Sequence, residues 1–441
     1  MTISTPTQTG APVTQSERIV VLDSVRGIAI LGILLMNIGL FALPGPVGND
    51  PSVMKESGLN YYWWYITAMV FDGTQRALFS MLFGAGIILF IGRQESRNEG
   101  LQPADYFFRR QLWLIAFSLF DVFILLWNGD ILLDYACFGM MLFTFRKLQP
   151  RTLIIAASVC LALMLARENR DFYQRKSVIT KGEAVAAIDT TKTKLTEDQK
   201  AELEKMTAFK KRTTPEGKQK RVDEAKREVL GSYGRVYEYR TNDYLDHLGR
   251  FIFLYAWDIL VFFFLGMAFY KNGVLTGKAS VSIYAWMAVL GWAIGISLAY
   301  LRVHALIDHN FNFYEYVKHV PLQFYQLDRV ARSLGLLGTV MLLYKSGVFN
   351  WFFRMLQPVG QMALTNYLSQ SLICGLLFSG FAFGLYGKLQ RYEVYNVVLI
   401  IWVFQIIFCN IWMRFFLYGP VEWLWRSLTY WKKQPLLKRL N

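Results

Sequence analysis

Residues 22–37, LDSVRGIAILGILLMN, decide the fold. One acid and one base, Asp23 and Arg26, open a run that meets no further charge before Asp50. A three-residue offset puts both side chains on one helix face, where they can pair. The apolar run behind them is long enough to cross a bilayer. An ionised side chain at the edge of such a span is costly unless paired or wet, which makes it a functional suspect. The plainer alternative is an ion pair that anchors the first span at the headgroups by snorkelling.

The rest of the chain repeats this pattern. Its 441 residues are 54% hydrophobic and 16% aromatic, and the apolar blocks are separated by short polar breaks. That spacing predicts an all-α, polytopic membrane helix bundle of about ten spans carrying a charged soluble helical insert. The expected spans are 19–43, 75–92, 107–127, 130–146, 151–166, 248–270, 281–301, 329–344, 358–384 and 394–418. Gly84 and Gly86 in the second would let another helix approach closely. Residues 59–71, LNYYWWYITAMVF, are too short to cross alone, so they either lie in the interface or begin a long tilted span.

Five segments follow. Residues 1–18 are polar and expected to be a disordered cytoplasmic N-terminus. Residues 19–166 form a first membrane bundle and 248–418 a second. Between them, 167–247 is densely charged and reads as an extracytoplasmic helical insert. Thr196 followed by Gln199 is a capping box, and Thr214 before Pro215 a second helix start. The tail, 419–441, mixes Trp and Tyr with Arg and Lys and reads as an amphipathic cytoplasmic helix, with Glu422 and Arg426 paired at i, i+4.

The net charge of +15 is assigned to basic loops on one membrane face and to attraction to anionic lipid, with no nucleic-acid partner. With the N-terminus inside, the inside loops carry most of the Lys and Arg outside the insert, and both termini lie in the cytoplasm. Cys137, Cys160, Cys374 and Cys409 fall inside apolar runs and read as buried thiols.

Several polar residues stand out against this background. Asp130 and Asp134, in WNGDILLDY, share a helix face and could split an acid and a base role between them; alternatively Asp130 caps a helix. Asp121 and Asp258 lie deeper and should find partners inside the bundle. In QPVGQMALTNYLSQSLI, a stripe with Asn366 and Gln370 beside Tyr367 is either interhelical glue or the lining of a polar path. With Arg76, Trp127 and Tyr135, these three are the candidate substrate contacts. His247, His304, His309 and His319 all fall on the outer side. No zinc, P-loop, dinucleotide or nucleophile-elbow motif is present, so no metal site and no bound cofactor is expected.

Five blocks, LDSVRGIAILGILLMNI, LFSMLFGAGI (78–87), GDILLDYACFGMM (129–141), GQMALTNYLSQSLI (360–373) and GPVEWLWRSLTY (419–430), resemble the YeiB-like bacterial membrane proteins that carry domain of unknown function 418. That family is similar to a wider group of membrane acyltransferases. The resemblance implies a bacterial inner-membrane protein of about ten helices. Acyl-CoA would reach it from the cytoplasm as co-substrate, and a glycan or small-molecule acceptor from the far side. In the sugar O-acyltransferases of that group an Arg on the first span is followed eleven positions later by His. Arg26 matches the Arg, but Asn37 stands at the second position, and no His occurs between 38 and 75. Acyl transfer would then rest on Asp23 and Arg26, with Asp130 or Asp134 as base and Asn37 as a polar contact. A non-enzymatic exporter or lipid-handling protein on the same scaffold is the second reading. The acyl group, the acceptor and the oligomeric state are not encoded legibly.

Overall fold

A computed structural model describes residues 19–192, 194–254 and 256–438, so the N-terminal stretch expected to be disordered lies outside the described residues. In chain order the helices are α1 (Val20–Ala42), α2 (Gly45–Asn49), α3 (Leu59–Ile66), α4 (Thr74–Glu95), α5 (Gln102–Phe123), α6 (Leu132–Leu142), α7 (Pro150–Ala186), α8 (Glu197–Thr213) and α9 (Pro215–Val229). They continue as α10 (Tyr233–Leu254), α11 (Ala256–Lys271), α12 (Val281–Asp308), α13 (Phe313–His319), α14 (Tyr325–Ser346), α15 (Asn350–Gln361), α16 (Ala363–Phe378), α17 (Arg391–Phe415) and α18 (Pro420–Tyr430).

Helix α1 is the axis of the bundle. Val25, Ala29, Ile30, Leu34 and Ile38 are fully buried, because α4, α15, α16 and α17 pack around it. Its approach to α15 depends on two glycines. A Cβ on Gly27 would sit 2.4 Å from the Leu356 carbonyl oxygen, and one on Gly360 only 1.8 Å from that of Asp23. Ser24 adds a hydrogen bond across the same crossing, donating to the Phe353 carbonyl at 2.8 Å. The expectation for the second span divides here. Gly84 lies against the Phe263 backbone of α11, whereas a Cβ on Gly86 would meet nothing within 4 Å.

Among the described residues, five helical runs are long and apolar enough to cross a membrane: Val20–Ala42, Leu59–Glu95, Pro150–Ala186, Val281–Asp308 and Arg391–Phe415. This is fewer than the ten expected. Helices α6, α11 and α16 are shorter than a full span, and α5 and α14 carry internal charges. Those charges are tolerated because they lie against protein groups rather than lipid. The aromatic stretch 59–71 runs into α4 across Asp72 and Gly73, making Leu59–Glu95 one apolar run.

Charge neutralisation is concentrated where α14 meets α4, α11 and α12. Asp258 of α11 pairs with Arg76 and with Arg329, and Asp328 pairs with Arg332. Arg302 of α12 reaches Asp328 at 3.0 Å and Asp72 at 3.6 Å. Arg329, Arg332 and Asp328 are essentially inaccessible. Asp258 thus has the internal partners expected of it.

The charged insert is not a separate body. Helix α7 runs unbroken from Pro150 to Ala186, so the membrane span continues directly into the charged region. Phe172 and Ile179 of α7, Met206 of α8 and Tyr314, Tyr316 and Val317 of α13 form one small core. The capping box is present: Gln199 N donates to Thr196 Oγ1 at 3.3 Å and Thr196 N to Gln199 Oε1 at 2.9 Å. Thr214 caps α9 through the Gly217 amide at 3.1 Å.

Candidate functional site

A cavity of about 250 Å³ opens between α1, α4, α5, α16 and α18. Helices α1 and α5 begin on its open side and α4 ends there, so their basic termini converge. Arg26, Arg93, Arg97, Arg110 and Arg426 line it, against two carboxylates, Asp23 and Glu422. Deeper in, the wall becomes Phe79, Leu82, Phe83, Ile87, Leu114 and Leu132, and it ends on Tyr135 and Tyr367.

Both carboxylates are already engaged. Asp23 pairs with Arg26 at 2.9 Å and accepts from Gln361 Nε2 at 3.3 Å. Glu422 does not pair with Arg426 as expected. Its Oε1 accepts from the amides of Leu364 (2.7 Å) and Thr365 (3.0 Å), and its Oε2 from the Thr365 hydroxyl at 2.5 Å. Helix α16 starts there with open N–H groups at the positive end of its dipole, which draws the carboxylate away from the arginine. The tail helix is thereby pinned to the bundle, with Trp425 and Thr429 buried.

The floor of the cavity is a hydroxyl cluster. Tyr367 donates to Asp130 Oδ1 at 3.3 Å and accepts from Trp127 Nε1 and the Ile131 amide, each at 3.2 Å. Trp127 stacks on Phe41, ring centroids 3.8 Å apart. Tyr135 shares a 2.5 Å hydrogen bond with Ser80. Asp130 caps α6, accepting from the amides of Leu132 (3.0 Å) and Leu133 (3.2 Å), and also takes the Ser118 hydroxyl. The capping alternative for Asp130 is therefore realised, with a direct link to Tyr367 in addition.

The structure gathers some of the expected residues and separates others. Asp23, Arg26, Tyr135 and Tyr367 line one cavity, with Asp130 and Trp127 directly behind it. Asp134 is half-buried outside the cavity wall. Arg76 pairs with Asp258, although its backbone carbonyl lies 3.4 Å from the Tyr135 hydroxyl. Asn37 is half-buried on α1, roughly 16 Å along the helix from Arg26. Asn366 bonds the Val359 carbonyl and Cys409, and Gln370 the Ile30 carbonyl and Gln405, all between helices and outside the cavity. His304 stacks on Tyr300, and His309 lies beside His319 with ring centroids 5.1 Å apart. The side chain of His247 lies outside what the structure describes. Among the described residues no group of three or more His, Cys, Asp or Glu is placed to hold a metal.

Sequence reasoning passed over Arg93, Arg97, Arg110 and Trp425. Their signal was present but indirect. In the sequence, basic residues at the ends of α4, α5 and the tail read as membrane-face charge, because no local spacing shows that these ends share one mouth.

A bundle of apolar helices around a one-sided, arginine-mouthed cavity defines the class: a multi-pass α-helical membrane protein. Residues 269–432 match the family described as "Protein of unknown function (DUF418)". The chain is 29% identical to the uncharacterized protein YxaH of Bacillus subtilis (strain 168), over 97% of this chain and 98% of that one. It is 28% identical to the uncharacterized protein YeiB of Escherichia coli (strain K12), over 94% and 96%. It is 24% identical to an uncharacterized 39.9 kDa protein of Bacillus acidopullulyticus, over 97% and 98%. No solved structure matches it.

Proposed function

We propose that this protein transfers an acyl group from acyl-CoA, taken up on the side where α1 begins, to an acceptor reached from the opposite side. On the positive-inside argument the first side is the cytoplasm. The observation that carries this reading is the polarity of one cavity. Five arginines at its mouth suit a phosphate-rich head, and an apolar wall behind them suits an acyl chain. Arg26, oriented by Asp23, holds negative charge at the mouth. Tyr135 and Tyr367 present hydroxyls at the inner end, and Asp130 backs Tyr367. Asp134 is the half-buried carboxylate nearest this floor in sequence and is the candidate base from the far side. In the reaction the acceptor oxygen bonds the acyl carbon and the C–S bond breaks. The acceptor's proton passes through the carboxylate, and coenzyme A leaves as the thiol.

The test is transfer of label from acyl-CoA in membranes containing the protein. Arg26→Ala and the Asp130→Asn/Asp134→Asn double variant should abolish an otherwise measurable product. Undiminished transfer in all of them would reject the assignment.

One observation favours a second reading, non-enzymatic movement of a lipid or small molecule. Both carboxylates in the cavity wall are committed, Asp23 to Arg26 and Glu422 to the start of α16. A cavity wall without an available base binds more readily than it catalyses. Sealed vesicles separate the two: movement of unaltered substrate supports transport, and an acylated product supports transfer.

A further inference from the structure

Several buried arginines elsewhere in this protein have carboxylate partners, whereas Arg240 donates to the Asn128 side-chain carbonyl at 3.2 Å. Arg329 pairs with Asp258, Arg332 and Arg302 with Asp328, and Arg391 with Glu56 at 2.7 Å. Two half-buried arginines that line the cavity have aromatic neighbours instead. The Arg110 guanidinium carbon lies 3.5 Å above the centre of the Trp425 ring and 5.2 Å from that of Phe90. That of Arg426 lies 4.6 Å over Tyr418. Neither has a carboxylate within ion-pair distance among the described residues, and both face the same space. Aromatic faces hold a guanidinium in a fixed plane but do not neutralise it. Two like charges set beside one low-dielectric cavity repel each other, and Arg26 adds to the field on Arg110. The carboxylate that sequence spacing offers to Arg426, Glu422, is withdrawn to cap α16. What remains is a pair of pre-oriented planar donors at the polar end of an apolar cavity.

We infer that Arg110 and Arg426 form an aromatic-backed clamp for a phosphate group carried on an apolar chain. This deepens the acyl-donor reading by naming the residues that hold the head, yet the clamp's chemistry is shared by two sources, the phosphates of a long-chain acyl-CoA and the headgroup of an anionic phospholipid. Trp425 and Arg426 both sit on α18, so the tail helix supplies one wall of the site and one of its two charges. Guanidinium suits this task better than ammonium, because its planar fork matches phosphate oxygens and stacks on rings.

The experiment uses the full chain in nanodiscs of zwitterionic phosphatidylcholine and radiolabelled dodecyl phosphate as probe, a molecule with no acyl group to transfer. Binding should weaken about tenfold in Arg110→Gln and in Arg426→Gln, and about a hundredfold in the double variant, as expected for charge-assisted bonds. Arg110→Lys should recover part of the loss, and added salt should weaken wild-type binding. Binding of the uncharged dodecyl glucoside should not change. Thermal stability of the double variant should stay level or rise, since like charges are removed; a fall would mark Arg110 as structural and overturn the clamp. Displacement of the probe by palmitoyl-CoA supports the clamp and the donor reading together. Displacement by phosphatidic acid alone supports the clamp and overturns the acyl-CoA donor. Absence of probe binding in folded wild type, binding indifferent to salt, or a double variant within twofold of wild type each overturns the clamp.

Discussion

Gly86 offers the sharpest handle on the cavity. It faces the cavity from α4 between Phe83 and Phe90, and a side chain grown from it would meet nothing within 4 Å. Gly86→Phe should therefore fill space without moving backbone. A cavity of about 150 Å³ holds a benzene ring, so one phenyl group takes up about half of the 250 Å³ here. If an acyl chain occupies that space, roughly five of its methylenes lose their place, at about 0.8 kcal/mol each against water. The loss of about 4 kcal/mol corresponds to nearly a thousandfold in affinity for a long chain presented as a monomer. A four-carbon chain, which needs only the outer part, should lose less than threefold. Replacing a mid-helix glycine by phenylalanine also recovers part of the glycine's helix cost of about 1 kcal/mol, so the melting temperature should not fall. The assay is equilibrium binding of acyl-CoA or alkyl phosphates of graded length to wild type and variant. Long-chain affinity within threefold of wild type, in a folded variant, would refute the assignment of this space to an acyl chain.

Three further outcomes follow from particular contacts. Asp258→Asn removes the partner of Arg329, which is 1% exposed, and should cost about 3–5 kcal/mol, read as a large drop in melting temperature; a near-neutral effect would show that α14 does not depend on this pair. Glu422→Gln weakens three charge-assisted bonds at the start of α16 and should loosen α18 by about 1–2 kcal/mol, seen as faster proteolysis after residue 418, with no change expected in the accessibility of α1. The Lys318 ammonium bonded to Glu183 holds that carboxyl below the ordinary glutamate range. A depressed carboxyl lends stability above its unfolded value and loses it as pH falls through the folded one, so the C-terminal end of α13 should loosen from α7 only as pH falls below the ordinary glutamate value. Spin labels at Lys181→Cys and His319→Cys would report this as a lengthened distance, and Glu183→Gln should remove the pH dependence.

Local signals in the sequence carried well. The Asp23–Arg26 offset, the Thr196–Gln199 box and the Thr214–Pro215 start depend on neighbours three or fewer residues away, and each forms as its spacing requires. Contacts set by tertiary packing did not carry. Glu422 and Arg426 have the right offset to pair, yet the start of α16 competes for the carboxylate from 57 residues away. The Asn366–Gln370 stripe was open between glue and lining, and both side chains are spent on other helices. The LDRVARSL stretch holds three charges at the edge of an apolar run, a sign of the same kind as Asp23 and Arg26. Its partners lie on α11 and α12, out of reach of any sequence spacing. The cavity itself could not be read at all, since its arginines come from four separate helices.

Helix α7 gives the molecule a lever. Its last twenty residues, Arg167 to Ala186, extend the apolar span by ~30 Å as one continuous rod. Its outer end is bolted to α13 through Phe172, Ile179, Tyr314 and Val317, and its inner end packs along α11. A tilt of that rod has to displace the α12–α14 connection and the Asp258 junction together. Torque applied to the charged insert, by a bound partner or an engineered antibody fragment, is therefore delivered directly to the ion pairs that hold α14 in the bundle.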